Sequence, residues 1–97
     1  MRKRTRAVPD APDGIDALLV KVAQRDKTAL KVIYQSAGPW LYTMIRASED
    51  NEEAADEILE AVFLCIWDQA WLFNPRQESG AQWLSRLLAR QMSNRLH

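Results

Sequence analysis

An all-α fold, a compact bundle of four to five helices, is what the sequence predicts. Two observations lead there. Apolar residues recur at i, i+3, i+4 and i+7 in each longer segment, and no segment alternates with period two or carries an Asn-Gly type hairpin turn. The 97 residues, 47% of them hydrophobic, fit one domain with one modest core and leave no room for a second.

In chain order, residues 1–13 read as a flexible basic arm, and 14–97 as the helical domain. Met1-Arg2-Lys3-Arg4-Thr5-Arg6 could open a signal peptide, but the Ala-Val-Pro-Asp-Ala-Pro-Asp-Gly that follows contains no apolar segment. A first helix begins at Asp13-Gly14 and places Ile15, Leu18, Leu19 and Val22 on one stripe, with Asp13 or Asp16 supplying negative charge at its start. Asp26 is a plausible N-cap for a second helix bearing Ala29, Leu30, Ile33 and Tyr34, which Gly38-Pro39 should stop or kink. Pro39 is also well placed to open the next stretch, where Trp40, Leu41, Met44 and Ile45 keep the helical period as far as Ser48.

Asp50 or Asn51 then caps a long helix with acids in its first turn, where they favour the positive end of the macrodipole. Ala55, Ile58, Leu59, Val62, Phe63 and Ile66 form its wide apolar face, and it should run to about Ala70. Asn74-Pro75 breaks the pattern. Ser79 or Gly80 starts a last helix with Leu84, Leu87, Leu88 and Met92 inward, while Gln82, Arg86, Arg90 and Asn94 recur every fourth position as a polar, basic stripe.

Thirteen basic and thirteen acidic side chains cancel, so net charge alone points to neither nucleic acid nor membrane. Their distribution is more informative. Between Ser48 and Pro75 every charged side chain is acidic, whereas Arg76, Arg86, Arg90 and Arg95 crowd the end. One cysteine, Cys65, excludes an internal disulfide and is compatible with the cytoplasm, where the protein is expected. One Cys and one His leave too few ligands for a structural zinc site, so no metal or other cofactor is expected. No apolar run approaches the ~20 residues that span a bilayer, and no membrane partner is expected. The acids of the long helix lie on a solvated face without a His, phosphate loop or nucleophile motif nearby; Cys65 reads as a packing residue, and an enzyme is not expected.

Trp67, Trp71, Phe73 and Trp83 cluster around the chain break. Trp67 and Trp83 read as core, because Trp buries a large apolar area where helices meet a loop. Trp71 and Phe73 flank the polar stretch Asn74, Arg76, Gln77, Glu78 and Ser79, a composition suited to holding an extruded base by stacking and edge contacts. The basic stripe reads either as solvated surface or as a phosphate-contacting face.

The order of these parts resembles the second conserved region of bacterial extracytoplasmic-function sigma factors. The common family pattern acid-Val-Val-Gln-Glu-Val-Phe-Leu-x-Leu-Trp is similar to Glu57-Ile58-Leu59-Glu60-Ala61-Val62-Phe63-Leu64-Cys65-Ile66-Trp67, within the acidic stretch from Ala55. Phe73-Asn74-Pro75 resembles Phe-Asp-Pro, Ser79 the loop serine, and Trp83-Leu84 the Trp-Leu that opens the next helix. Leu18 to Asp26, and Ala29-Leu30 through Tyr34 to Gly38-Pro39-Trp40-Leu41-Tyr42, resemble the family's earlier helices, so the likeness covers residues 15–97.

The resemblance implies a transcription initiation factor domain that binds core RNA polymerase and recognises and melts the -10 promoter element by capturing non-template-strand bases. Asp56, Glu57, Glu60, Leu64 and Asp68 become polymerase contacts, against the clamp coiled coil of the largest catalytic subunit. Phe73, Asn74, Arg76, Ser79 and Gly80 would shape a pocket for a flipped base, and Gln82, Arg86, Arg90 and Asn94 would meet backbone or base edges. Four departures stand out: Ala61 replaces a Glu, Glu78 replaces the Gly before the loop serine, and Arg90 and Asn94 replace the family's usual Asn and Asp. The second, helix-turn-helix domain of the family (region 4) is absent, and His97 ends an apparently continuing helix without a C-cap signal, as expected of a fragment. An alternative is a regulatory protein-interaction module, held by an anti-sigma factor or acting as a decoy, without promoter recognition of its own.

Overall fold

A computed structural model describes residues 11–95, the last without its side chain, so the basic residues of the expected N-terminal arm lie outside the described residues. The fold is all-α: α1 (Ile15–Ala23), α2 (Lys27–Arg46), α3 (Glu52–Gln69), a 3₁₀ turn at Ala70–Leu72 and α4 (Gly80–Arg95). The shortest helix reaches every other element: α1 packs against α2, α3, α4 and the 3₁₀ turn, as the much longer α3 also does. Ile15, Leu19 and Val22, one side of its two and a half turns, are all buried.

Two short devices reverse the chain between α1 and α2. The Arg25 N–H bonds the Val22 carbonyl at 2.8 Å and the Asp26 N–H bonds the Lys21 carbonyl at 3.1 Å, which is the paired pattern of a Schellman C-cap. Arg25 holds its left-handed position, φ 68°, as a non-glycine residue, at a cost of about 1–2 kcal/mol. Its side chain offsets that cost across the bundle. The guanidinium lies over the Trp67 ring, 4.8 Å from the centroid, and donates to the Trp67 carbonyl at 2.8 Å, bringing a cation to the C-terminal turn of α3, which has no basic residue of its own. Asp26 then accepts from the Ala29 N–H at 3.1 Å as the N-cap of α2.

Of the two outcomes expected at Gly38-Pro39, a stop or a kink, the stop is corrected: α2 continues for 20 residues with Pro39 inside it. Proline in a helix interior costs about 3 kcal/mol, partly through its clash with the preceding residue. Gly38 has no Cβ to enter that clash, and beyond Pro39 the buried Trp40, Leu41 and Ile45 each add roughly 1.5–3 kcal/mol of burial, which outweighs the proline. At its end Arg46 donates to the Tyr42 hydroxyl at 3.2 Å and the Asp50 carbonyl at 3.4 Å, tying α2 to the linker before α3.

Asn51, rather than Asp50, caps α3, accepting from the Ala54 N–H at 2.9 Å. Ala55, Ile58, Val62, Phe63 and Ile66 are buried as the periodicity predicts. On α4, Trp83, Leu84, Leu87 and Leu88 complete the core, with Met92 partly buried against it. Among the described residues no polar or charged side chain is buried, so apolar area holds the bundle and polar groups act at its surface.

The start of α4 closes the fold against the start of α1. The Gly80 N–H donates to Asp16 Oδ1 at 2.6 Å, joining residues 64 apart in sequence. A Cβ at residue 80 would lie 2.6 Å from Ile15 Cγ2 and 2.8 Å from Asp16 Oδ1, so only glycine allows this approach. Gly80→Ala should lower stability by about 1–3 kcal/mol, read as a lower urea midpoint with an unchanged slope. Asp16→Ala, which strips the Gly80 N–H of its acceptor, should cost about 1–3 kcal/mol in the same measurement; a neutral result for both would refute this role for the joint.

Candidate functional site

Two surfaces with opposite electrostatic character meet on α3 and α4. The first is acidic. Asp56, Glu57, Glu60, Leu64 and Asp68 are all exposed along one side of α3, and Leu64 among them is 67% exposed. Beside them an open groove of about 900 Å³ runs between α2 and α3, with Leu30, Leu59 and Phe63 in it and Tyr34 and Trp67 along it. Tyr34 stands edge-on to Phe63 with ring centroids 5.0 Å apart. Glu53, Asp56, Glu57 and Glu60 border the groove and, among the described residues, Lys27 is the one cation lining it, so its apolar interior is fringed mainly by carboxylates.

The second surface comprises the segment after the 3₁₀ turn and the outer side of α4. Asn74 organises the loop: its side-chain oxygen accepts from the Arg76 N–H at 2.9 Å and its carbonyl from the Gln77 N–H at 3.0 Å, an Asx turn inside a β-turn. Ser79 and Gln82 then form a reciprocal capping box, with the Gln82 N–H on Ser79 Oγ at 3.1 Å and the Ser79 N–H on Gln82 Oε1 at 3.0 Å. Sequence reasoning placed Asn74, Ser79 and Gln82 in a binding role. The structure uses their side-chain oxygens to build the loop.

Gln82, Arg86, Arg90 and Asn94 are exposed in line on α4, as their spacing predicts. Besides Gln82 in the capping box, two of them are held. Arg86 forms a two-pronged ion pair with Glu78, Nη1 to Oε1 at 2.6 Å and Nη2 to Oε2 at 2.9 Å, and this hydrogen bonding, followed by the carboxylate's charge, raises the Arg86 pKa above the usual arginine value. Arg90 donates to Gln69 Oε1 at 3.2 Å. Arg76 is exposed and has no hydrogen bond or ion pair from its side chain to another described residue.

The aromatic residues divide differently from their sequence order. Trp83 is buried and Trp67 half-buried, in keeping with a packing role, but Phe73 is buried too, its ring tilted against Trp83 at 6.0 Å. Phe73 and the buried Gly80 therefore shape the loop from beneath. Trp71, 68% exposed, presents the open ring, beside an exposed Leu72. The 3₁₀ turn makes this division, by rotating Phe73 inward and leaving Trp71 outside. Asp16 and Arg25, which position the loop and the end of α3, carry no local sequence signal; their partners are remote in the chain.

The two surfaces share α3 as a common wall. Gln91 donates to Cys65 Sγ at 3.2 Å, and Cys65 and Gln69 face α4. Successive residues of a helix turn by roughly 100°, so Cys65 lies that far round α3 from Leu64. The acidic side of α3 and its side toward α4 are therefore separate surfaces. No group of three or more His, Cys, Asp or Glu that could hold a metal occurs among the described residues, and no helix among them is long and apolar enough to cross a membrane.

These features describe an all-α domain, consistent with the sigma-factor region 2 type. Sequence comparison takes the assignment further. The chain is 30% identical over 82 residues to the extracytoplasmic-function RNA polymerase sigma factor SigK of Mycolicibacterium vanbaalenii, covering 84% of this chain and 42% of that protein. It is 26% identical over 89 residues to the SigK proteins of Mycobacterium sp. strains KMS and JLS, covering 92% of this chain and 46% of each. The chain is thus a homologue of the extracytoplasmic-function sigma factors, and it spans less than half the length of the curated relatives it matches. No family model and no solved structure matches it.

Removing the Ser79 hydroxyl should open the loop at its C-terminal side. Ser79→Ala is expected to cost about 1 kcal/mol of stability and to speed amide exchange in the first turn of α4, measured by denaturation and hydrogen exchange. Unchanged exchange there would show that the cap does not hold the loop.

Proposed function

We propose that this chain is a promoter-melting domain that acts with core RNA polymerase in the cytoplasm and catalyses nothing itself. Asp56, Glu57, Glu60, Leu64 and Asp68 dock on the clamp coiled coil of the largest catalytic subunit, while the loop from Phe73 to Ser79 and the stripe on α4 engage the non-template strand of the -10 element. The observation that carries this reading is Leu64, a large apolar side chain two-thirds exposed among carboxylates and beside an apolar groove. Folding gives no reason to place leucine there. An amphipathic helical partner with basic flanks would desolvate it and match the surrounding charge.

On the nucleic-acid side, the exposed Trp71 ring supports base stacking, and Arg76, Arg90 and Asn94 are placed for phosphate or base-edge contacts. Phe73 and Gly80 act from beneath by setting the path of the loop. A second reading, a sigma-like module held by an anti-sigma factor or serving as a decoy, is favoured by one observation: two cations of the DNA-facing stripe are already tied within the chain.

Binding to core polymerase and to single-stranded -10 DNA separates the two. Leu64→Asp should weaken polymerase binding by at least about tenfold, as for a buried interface anchor. Arg90→Ala should leave polymerase binding intact, weaken DNA binding and flatten its salt dependence by about 0.7 in the logarithmic slope. Absence of any complex with polymerase or DNA at low salt would overturn the promoter-melting reading and leave the regulatory module.

A further inference from the structure

An ion pair on the loop before α4 carries a structural device. The Glu78 side chain, only 17% exposed, meets both terminal nitrogens of Arg86 across a separation of eight residues. The loop is built to hold it there. Asn74 accepts from the Arg76, Gln77 and Glu78 N–H groups, the last at 3.3 Å to its carbonyl, and the Ser79–Gln82 box anchors the following residue. Glu78 is thus fixed at both sides in sequence while Arg86 extends to it from α4, its own side chain 62% exposed.

The beginning of α4 would otherwise attract anions, since helix N-termini combine free N–H groups with positive dipole charge. Here two of the first three N–H groups of α4 are already taken, that of Ala81 excepted. Asp16 occupies the Gly80 N–H, Ser79 occupies the Gln82 N–H, and Glu78 adds a carboxylate beside them. A phosphate approaching this end meets two carboxylates and an arginine whose planar fork is already matched. Farther along the stripe, Arg90 is bonded only to the neutral Gln69 side chain, so its charge is not cancelled there.

We propose that Glu78 is an affinity-setting residue for nucleic acid: by occupying the fork of Arg86 it withholds that cation from phosphates and shifts backbone contacts toward Arg90 and Asn94. This inference rests on the nucleic-acid reading above. A phosphate can take Arg86 only by displacing a carboxylate of matching geometry, so Arg86 contributes little net attraction while Glu78 is charged. Neutralising Glu78 releases one cation and removes one repulsive charge. Each additional phosphate contact to a single strand steepens the dependence of log affinity on log salt by about 0.7, which corresponds to roughly fivefold tighter binding at low salt.

The test is a salt series of fluorescence anisotropy titrations of a labelled single-stranded -10 oligonucleotide with the full 97-residue chain. Glu78→Gln, nearly isosteric, should bind roughly fivefold tighter at low salt with the steeper slope, and its urea midpoint reports that the fold is retained. Arg86→Ala alone leaves Glu78 unpaired beside the phosphates and should weaken binding, and added to Glu78→Gln it should remove the steeper slope. If Glu78→Gln binds with parental affinity and slope, or if its steeper slope survives Arg86→Ala, the clamp has no such role and the DNA-binding reading stands. If neither parent nor variant binds the oligonucleotide at low salt, the nucleic-acid reading fails and this inference with it.

Discussion

The close approach of α4 to α1 is the constraint on which the rest of the arrangement depends. A backbone N–H at Gly80 reaches a carboxylate on the first turn of α1, and the missing Cβ lets Ile15 and Asp16 come near enough for that bond to form. This one joint sets where α4 begins. The loop from Phe73 to Ser79 must therefore span a defined gap between the 3₁₀ turn and Gly80, and the outer stripe of α4 acquires its direction relative to α3. α1, although the shortest helix, can act as the hub because its buried side faces every other element.

The polar groups around this hub serve structure first. Asn74, Ser79 and Gln82 spend their side-chain oxygens on backbone N–H groups, as the exposed ends of a turn and a helix require. The capacity left for a ligand lies in other groups: the open ring of Trp71, the guanidinium of Arg76, and Arg90 and Asn94 along α4. On α3 the division is simpler. Its acids are solvated and its apolar half is buried, so Leu64 stands out as an apolar residue on the wrong side for folding. The two surfaces differ in charge yet share a helix, which sets the separation between the two partners proposed above.

Where local chemistry decides, the structure agrees with what the sequence suggests. Asp26 caps α2, Ser79 stands at the start of α4, and the buried positions of α1, α3 and α4 follow the apolar period, because caps and amphipathic faces are properties of a few neighbouring residues. Gly38-Pro39 reads as a break because proline costs a helix its local hydrogen bond and adds a clash. The helix nevertheless continues, because Trp40, Leu41 and Ile45 gain more from a common core with Ile33 and Ala37 than the proline loses. That balance depends on residues from other helices, which no local window contains.

The sequence by itself determined the helical class, the polarised charge and the order of acidic helix, aromatic loop and basic helix, since these depend on residue type and spacing along the chain. It also identified Glu78 as an unusual loop residue, without showing what that residue touches. Only the tertiary structure decided that Phe73 turns inward while Trp71 stays open, that Arg25 covers Trp67, and that Glu78 closes on Arg86. Each of those outcomes requires two segments to meet in space. Burial and pairing are settled by the packing of α1 against α4 and the 3₁₀ turn, and that packing depends on a Cβ absent at Gly80.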